Sequence, residues 1–583
     1  MLYTVIKENT YQDSIVLMLL SNKLSGIEGA NKASVMMGTP ANKDIFNSSG
    51  LSTDELSQAG PNDIAIVIDT EDESKVEVVK AEVEAALKGE SESNDQATNK
   101  EAVSWKQALD MAEKPNLALI SIPGTYAAME AENALKHGLN VFMFSDNVAK
   151  EDEMRLKQLA HEKGLLVMGP DCGTGIIHGV PLAFTNTVNK GDIGIVGASG
   201  TGIQEVTTII DRLGKGVTNA IGTGGRDLST EVGALTMIDS IKALNADPTV
   251  NVITVISKPP AKEVQARVMN TLRNISKPIV TLFLGHKPTF DEKNIYNAYT
   301  LEEAAVASVQ LANGDKPAYE PQSLTNLQPN FKSEQTSIKG LYSGGTLAYE
   351  AAILIQDAFE ITGENEEGYT LKTEHHEVID LGDDMYTQGK PHPMIDPEIR
   401  KEKLRQAAED EKTAVIMLDN VIGYGSHDDM AHELAPIISE VIDTANKNNR
   451  EMIVLATVIG TEKDYQGYES QKTILAEAGA HICDTNDQMV RTAIALLDGK
   501  VEQPVKTVNS FEAVEEDLTI DDKVMQLINN KPSVINVGLK SFTTALQDHD
   551  ASYVQFNWKP VAGGDTELIK VLQFLNNYEK ETN

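Results

Sequence analysis

The sequence predicts an α/β protein of several domains, and three observations carry that prediction. A strand, small-residue turn and helix occur twice, as Ile193-Gly-Ile-Val-Gly-Ala-Ser-Gly-Thr-Gly-Ile-Gln-Glu205 and as Ile338-Lys-Gly-Leu-Tyr-Ser-Gly-Gly-Thr-Leu-Ala-Tyr-Glu350. Landmarks follow each copy in the same order. After the first come Ile221-Gly-Thr-Gly-Gly-Arg-Asp227, strands 252–257 and 279–284, and a helix 301–311; after the second come Asp380-Leu-Gly-Asp-Asp384, strands 414–418 and 452–458, and a helix 487–497. The chain of 583 residues also exceeds the roughly 250–300 residues that one core supports.

Taken in order, residues 1–90 alternate strand and helix in a small ferredoxin-like α+β unit, with strands at 3–7, 32–37 and 63–69. The polar stretch 89–100 reads as a linker. Residues 101–190 form a Rossmann-like unit: strand 117–122, Pro123-Gly124-Thr125, a helix, strand 141–144, Ser145-Asp146-Asn147, a helix, and strand 165–168. It lacks GxGxxG, so nothing points to NAD. The duplicated, flavodoxin-like units occupy 191–315 and 338–502, separated by a linker holding Pro317, Pro321 and Pro329. An acidic connector, 505–522, leads to a carboxyl-terminal α/β extension at 523–583, where Trp558, Pro560, Gly563 and Gly564 are read as core aromatic and turn or as a partner-docking strand.

Composition narrows the function. A formal net charge of −37 repels nucleic acid and anionic membrane unless a basic stripe intervenes, and none is visible. The two cysteines, Cys172 and Cys483, have no metal-binding spacing, so no metal is expected and a reducing cytoplasm is the expected setting. No apolar run approaches the roughly 18 residues of a membrane span.

In each duplicated turn the backbone N–H groups at a helix start, with the helix dipole, favour an anion. Ser199, Gly200 and Thr201 form one cradle and Ser343, Gly344, Gly345 and Thr346 the other. Facing each other, they would hold a single phosphate. The alternative for each copy is a tight turn with a helix cap.

Gly169-Pro170-Asp171-Cys172-Gly173, followed by Gly194-Ile-Val-Gly-Ala-Ser-Gly-Thr201, resembles the Gly-Pro-Asn-Cys-Pro-Gly and Ser-Gly-Thr phrases of the succinyl-CoA synthetase α subunit. The second duplicated unit is similar to the carboxyl-terminal domain of that enzyme's β subunit. Met36-Met-Gly-Thr-Pro-Ala-Asn-Lys43, Gly222-Thr-Gly-Gly-Arg-Asp-Leu228 and Gly389-Lys-Pro-His-Pro-Met-Ile-Asp-Pro397 resemble the FdrA family within that superfamily, including AllF-like proteins. The resemblance implies a Rossmann-like CoA-binding-type domain, then two synthetase-type ligase domains. No ATP-grasp segment is evident. The phosphohistidine loop Gly-His-Ala-Gly is replaced by Gly285-His286-Lys287-Pro288-Thr289.

The resemblance further implies a subunit of oxamate carbamoyltransferase, which interconverts oxalurate plus phosphate with oxamate plus carbamoyl phosphate in purine and allantoin breakdown. Inorganic phosphate is then a substrate, no cofactor is required, and partner subunits complete the site; a homo-oligomer is also open. On that reading Arg226 is a guanidinium clamp, His392 an acid or anion contact, and Gly423, Tyr424 and Gly425 a competing second cradle. Two other readings stay open. In an acyl-CoA synthetase, CoA binds the loops holding Pro123, Gly124, Thr125, Ser145, Asp146, Asn147, Asp171 and Cys172, near Gly222, Gly224 and Gly225, with nucleotide handled in trans. In a scaffold, the fold remains without chemistry. Cys172 reads as an inert small residue because its setting does not lower a thiol pKa, and His178 is a weaker candidate still.

Overall fold

Alternating apolar residues at the amino terminus produce a three-stranded antiparallel sheet, Leu2–Lys7, Ile64–Thr70 and Ala30–Met37 in spatial order. The structure, a computed structural model, describes residues 1–560 apart from 9, 11, 13, 28, 61, 62, 93–100, 365 and 389, together with 571. Leu17, Leu20 and Leu24 of the helix Ser14–Ser25 share a core with Val76, Val79 and Val83 of the helix Ser74–Glu92 and with Ile64, Ile66 and Ile68. The phrase beginning at Met36 is a helix start: Thr39 caps Pro40–Ser48 by accepting from the Asn42 N–H, and Pro40 fits the first turn.

The next sheet has six parallel strands in the order Glu101–Ala102, Tyr553–Phe556, Val534–Val537, Leu117–Ile120, Asn140–Met143 and Val167–Met168. The expected separate extension at 523–583 is therefore corrected, since two of its strands sit inside the Rossmann-like sheet. Val534–Val537 is fully buried, so its backbone needs a strand on each edge, which an isolated extension does not supply. Trp558 is buried, and both tryptophans donate to one carboxylate, Trp105 to Glu130 Oε2 (2.6 Å) and Trp558 to Oε1 (3.0 Å). It is a core residue, not a docking strand. Gly389, Gly563 and Gly564 lie outside the described residues.

A second correction concerns the hairpin Thr174–Ile177 and Val180–Ala183. It lies within 101–190 by sequence but joins the first duplicated lobe through an antiparallel bridge between Ile176 and Ala220. That lobe's remaining strands are parallel, in the order Ile295–Asn297, Ile279–Phe283, Val252–Ser257, Ile193–Ala198, Val217–Gly222. The second lobe repeats the order as His481–Cys483, Ile453–Ile459, Thr413–Val421, Ser337–Tyr342, Glu377–Asp380, with a short antiparallel edge, Leu371–Lys372. Numbered within each lobe, both read 2-1-3-4-5, the flavodoxin-like order.

The lobes meet through four helices: Gly200–Arg212 and Leu301–Ala312 of the first, Gly345–Phe359 and Asn486–Leu496 of the second. Glu205 accepts from the Asn486 N–H (2.9 Å) and Glu350 from the Leu301 N–H (2.7 Å), so each lobe's buried carboxylate satisfies a helix start of the other. Asn486 Nδ2 also donates to Glu350 (2.8 Å). Glu302 accepts from Thr485 (2.8 Å) and lies 3.1 Å from the Tyr319 hydroxyl, which donates to Asp487 (2.5 Å). Burial, reinforced by Asp487, pushes Glu350 up to about 8 and Glu302 up to about 7.

Folding thus retains protons that the unfolded chain releases above its ordinary carboxylate range near 4.5. Stability from this interface falls as pH rises through that window and levels once the folded groups ionise. The thermal midpoint of Glu350→Gln relative to the parent is expected to rise between about pH 5 and about pH 8, measured by calorimetry; a difference flat across that range refutes the assignment.

Candidate functional site

Each lobe's first and third strands lie side by side while their connections run to opposite sides, so the crevice at their carboxyl ends is a topological switch point, the place where ligands bind open α/β sheets. In the first lobe that crevice is bounded by Ser199 and by Lys258, directly after Val252–Ser257. In the second it is bounded by Ser343–Thr346 and by Asp419 on Thr413–Val421.

The two cradles converge. Ser199 caps its helix by accepting from the Gly202 N–H (3.1 Å), and its Oγ lies 2.7 Å from Thr346 Oγ1. The Thr346 N–H donates to Thr201 Oγ1 (3.4 Å). The helices Gly200–Arg212 and Gly345–Phe359 therefore start against each other, with their dipoles pointing into one space. The N–H groups of Gly200, Thr201 and Gly345 have no protein acceptor among the described residues.

The second cradle is partly filled from within. The N–H groups of Ser343 and Gly344 donate to Asp419 Oδ1 and Oδ2, each at 2.8 Å, and Ser343 Oγ lies 3.0 Å from Oδ2. Asp419 is fully buried and paired with the equally buried Arg400 (3.1 Å). The expectation that Ser343 and Gly344 bind phosphate is corrected: their donors are spent on a side-chain carboxylate. Gly345 remains at the open face, whereas Thr346 is buried, with its hydroxyl on Ser199 and its N–H on Thr201.

The competing cradle, Gly423, Tyr424 and Gly425, is also corrected. Gly423 N–H donates to Gln466 (3.1 Å), Tyr424 N–H donates to Thr185 O (3.0 Å), and Tyr424 OH reaches Asp548 (2.8 Å). Gly425, at φ +82°, lies flat against the Phe184 ring. These residues seat the first lobe's hairpin on the second lobe.

Beside Gly345 opens a pocket of about 150 Å³ lined by Lys258, Tyr349, Gly368, Tyr369, Thr370, Asp380 and Asp383. Lys258 has no ion-pair partner among the described residues, and its Nζ stands 5.8 Å from the Tyr349 ring centre. Burial pushes Asp380 up to about 6, with Lys258 opposing. A Cβ added to Gly345 would lie 2.3 Å from Asp380 Oδ2, so glycine is required for that approach. Lys258, Asp380, Tyr349 and Asp419 escaped the reading of the sequence. Strand order would have found Lys258 and Asp419, because both sit at switch points.

Arg226 is tethered on the inner side: Nε pairs with Glu153 (2.9 Å) and Nη2 donates to Val148 O (2.9 Å). It joins the fully buried Lys157, which pairs with Glu153 and Asp227. His392 is half-buried, its Nδ1 accepts from the Met394 N–H (3.2 Å), and burial with Arg400 pushes it down to about 4. A role as acid near neutral pH is corrected, because the imidazolium is not populated there. Cys172 is buried and pushed up to about 12, an inert thiol. Asp171, pushed up to about 6 by burial and Asp146, faces the loops of Pro123–Thr125 and Ser145–Asn147, where Gly124 packs against the main chain of Asp146 and Asn147. Gly222 packs on Thr174 O and Cys172, and Gly224, at φ +83°, on Pro170 O, whereas Gly225 faces only Asp171. His178 contacts Ile528 O (3.3 Å), away from the crevice.

No group of three or more His, Cys, Asp or Glu among the described residues is arranged to hold a metal ion, and no described helix is long and apolar enough to cross a membrane.

Residues 341–496 match the family model described as CoA-ligase, 188–285 the CoA binding domain, and 1–103 the heavy metal-associated domain of AllF. The CoA-binding match thus falls on the first lobe, whereas sequence reasoning expected a CoA-binding-type unit at 101–190. Residues 1–103 contain no cysteine. The chain is 40% identical over 495 residues to YahF of Escherichia coli K12, covering 83% of this chain and 96% of that protein. It is 25% identical over 173 residues to the α subunit of ADP-forming succinate–CoA ligase from Methanothermobacter thermautotrophicus, spanning 29% of this chain and 57% of that subunit. Among solved structures, the dinucleotide-forming acetyl-coenzyme A synthetase 1 of Ca. Korarchaeum cryptofilum aligns over 66% of this chain and 83% of its own, at 14% identity and a TM-score of 0.27. The α/β lobes, the AllF-type amino-terminal domain and the near full-length match to YahF place this chain in the FdrA family, within the succinyl-CoA synthetase-like superfamily.

Proposed function

We propose that the protein is the FdrA-type subunit of a cytoplasmic, phosphate-dependent carbamoyltransferase that converts oxalurate and phosphate to oxamate and carbamoyl phosphate. The observation that carries it is the meeting of two helix starts at 2.7 Å between Ser199 and Thr346, with open amides at both starts, that of Gly345 beside Lys258. A phosphate oxygen attacks the carbamoyl carbon, the bond from that carbon to the oxamate nitrogen breaks, and the nitrogen takes a proton. No electrons change hands and no nucleotide is consumed. Gly200, Thr201 and Gly345 N–H groups hold the phosphate, and Lys258 offsets its charge. Asp380, about half protonated near pH 6, supplies the proton. Partner subunits complete the site.

The match to succinate–CoA ligase α subunits favours a second reading, formation of an acyl-CoA thioester with nucleotide handled by another chain. Purification of the intact complex from its host separates the two: phosphate-dependent cleavage of oxalurate supports the first, and ATP-dependent thioester formation without it refutes the first.

In that complex, Ser199→Ala combined with Thr201→Ala removes the hydrogen bonds that Ser199 and Thr201 make to Thr346 and so loosens the two helix starts; it is expected to raise the KM for phosphate by about tenfold, and an unchanged KM removes the paired helix starts from the mechanism. The parent rate is expected to fall as pH rises through about 6, because the acid form of Asp380 is lost. Asp380→Asn should be slow and lack that limb, and a retained limb assigns the proton to another group.

A further inference from the structure

Four exposed apolar side chains fall within ten residues of the acidic connector: Val505 (91% exposed), Val508 (78%), Phe511 (45%) and Val514 (75%). The segment is not a slack tether. Thr507–Asn509 pairs in parallel with Phe290–Glu292. Lys506 pairs with Asp291 (3.3 Å) and Glu303 (3.4 Å) and lies 3.5 Å from the Tyr296 ring centre. Downstream, Val514 O accepts from Asn270 (3.0 Å) and Asn274 (2.9 Å), and Glu516 binds Thr271 (2.8 Å) and Lys242 (2.9 Å). The backbone is fastened on both sides of the exposed side chains.

Thr507 N–H donates to Thr289 O (3.1 Å), so by strand alternation the Val508 N–H points away from Phe290–Glu292. That edge carries no strand among the described residues. An open edge with exposed apolar side chains is a template for a further strand. Its charge selects the occupant. Lys506 is the only cation in 505–522, against Glu512, Glu515, Glu516, Asp517, Asp521 and Asp522, and Glu512 and Glu515 have no ion-pair partner among the described residues. A second copy would bring the same acidic segment and another net charge of −37.

We propose that this edge docks an extended segment of a partner protein in which Val- or Ile-type side chains alternate with Lys or Arg, adding a strand beside Thr507–Asn509. The docking is independent of the reaction assigned above. The test uses the full chain and a fluorescent acetyl-Lys-Val-Lys-Val-Lys-Val-Lys-amide, with the same peptide N-methylated at alternate residues as control. N-methylation, or Val508→Pro in the protein, is expected to weaken binding by about tenfold or more, and the parent peptide to slow hydrogen exchange at Val508 in the unmodified chain. Equal binding of the two peptides, unchanged exchange at Val508, or self-association of the chain that Val508→Pro abolishes each overturns the proposal.

Discussion

The arrangement depends on two buried carboxylates crossing between the lobes. Glu205 and Glu350 occupy matching positions on the helices that leave the two cradles, and each accepts an N–H at the start of the other lobe's last helix. An unpaired N–H at a buried helix start costs about 1–3 kcal/mol, so replacing either glutamate by an apolar residue would strand a donor of the opposite lobe inside the packed interface. This exchange sets the two cradle helices start to start.

The duplication made that geometry readable. The same phrase, followed by the same succession of strands, implied two copies of one unit, and the strand orders agree from first to fifth. The amino-terminal strands were equally plain, because Ile64–Thr70 is apolar at almost every position and its neighbours alternate. Family membership rested on rigid turn phrases such as Gly169–Gly173 and the helix start after Met36, whose residue choice is fixed by local backbone demands.

Less visible were features that depend on sequence-distant partners. Asp419 sits in the midst of an apolar strand, and nothing in its neighbours says that Ser343 and Gly344 will close around it. Gly423–Gly425 has the composition of an anion loop yet serves as a seat for Phe184 and Thr185, since glycine suits close packing as well as phosphate. His392 lost its expected role as an acid through burial beside Arg400. Lys258 carried no motif at all; only strand order assigns it to the crevice.

The Rossmann-like sheet is closed by Val534–Val537 and Tyr553–Phe556, which lie between Glu101–Ala102 and Leu117–Ile120 although more than four hundred residues separate them in the chain. During synthesis the early strands emerge with one flank uncovered, and both duplicated lobes are available to fold before the missing pieces leave the ribosome. The loops around Asp146 and Asp171 therefore gain their final support only after residues 534–556 have been made, so a product truncated before them would carry two formed lobes beside an unfinished sheet.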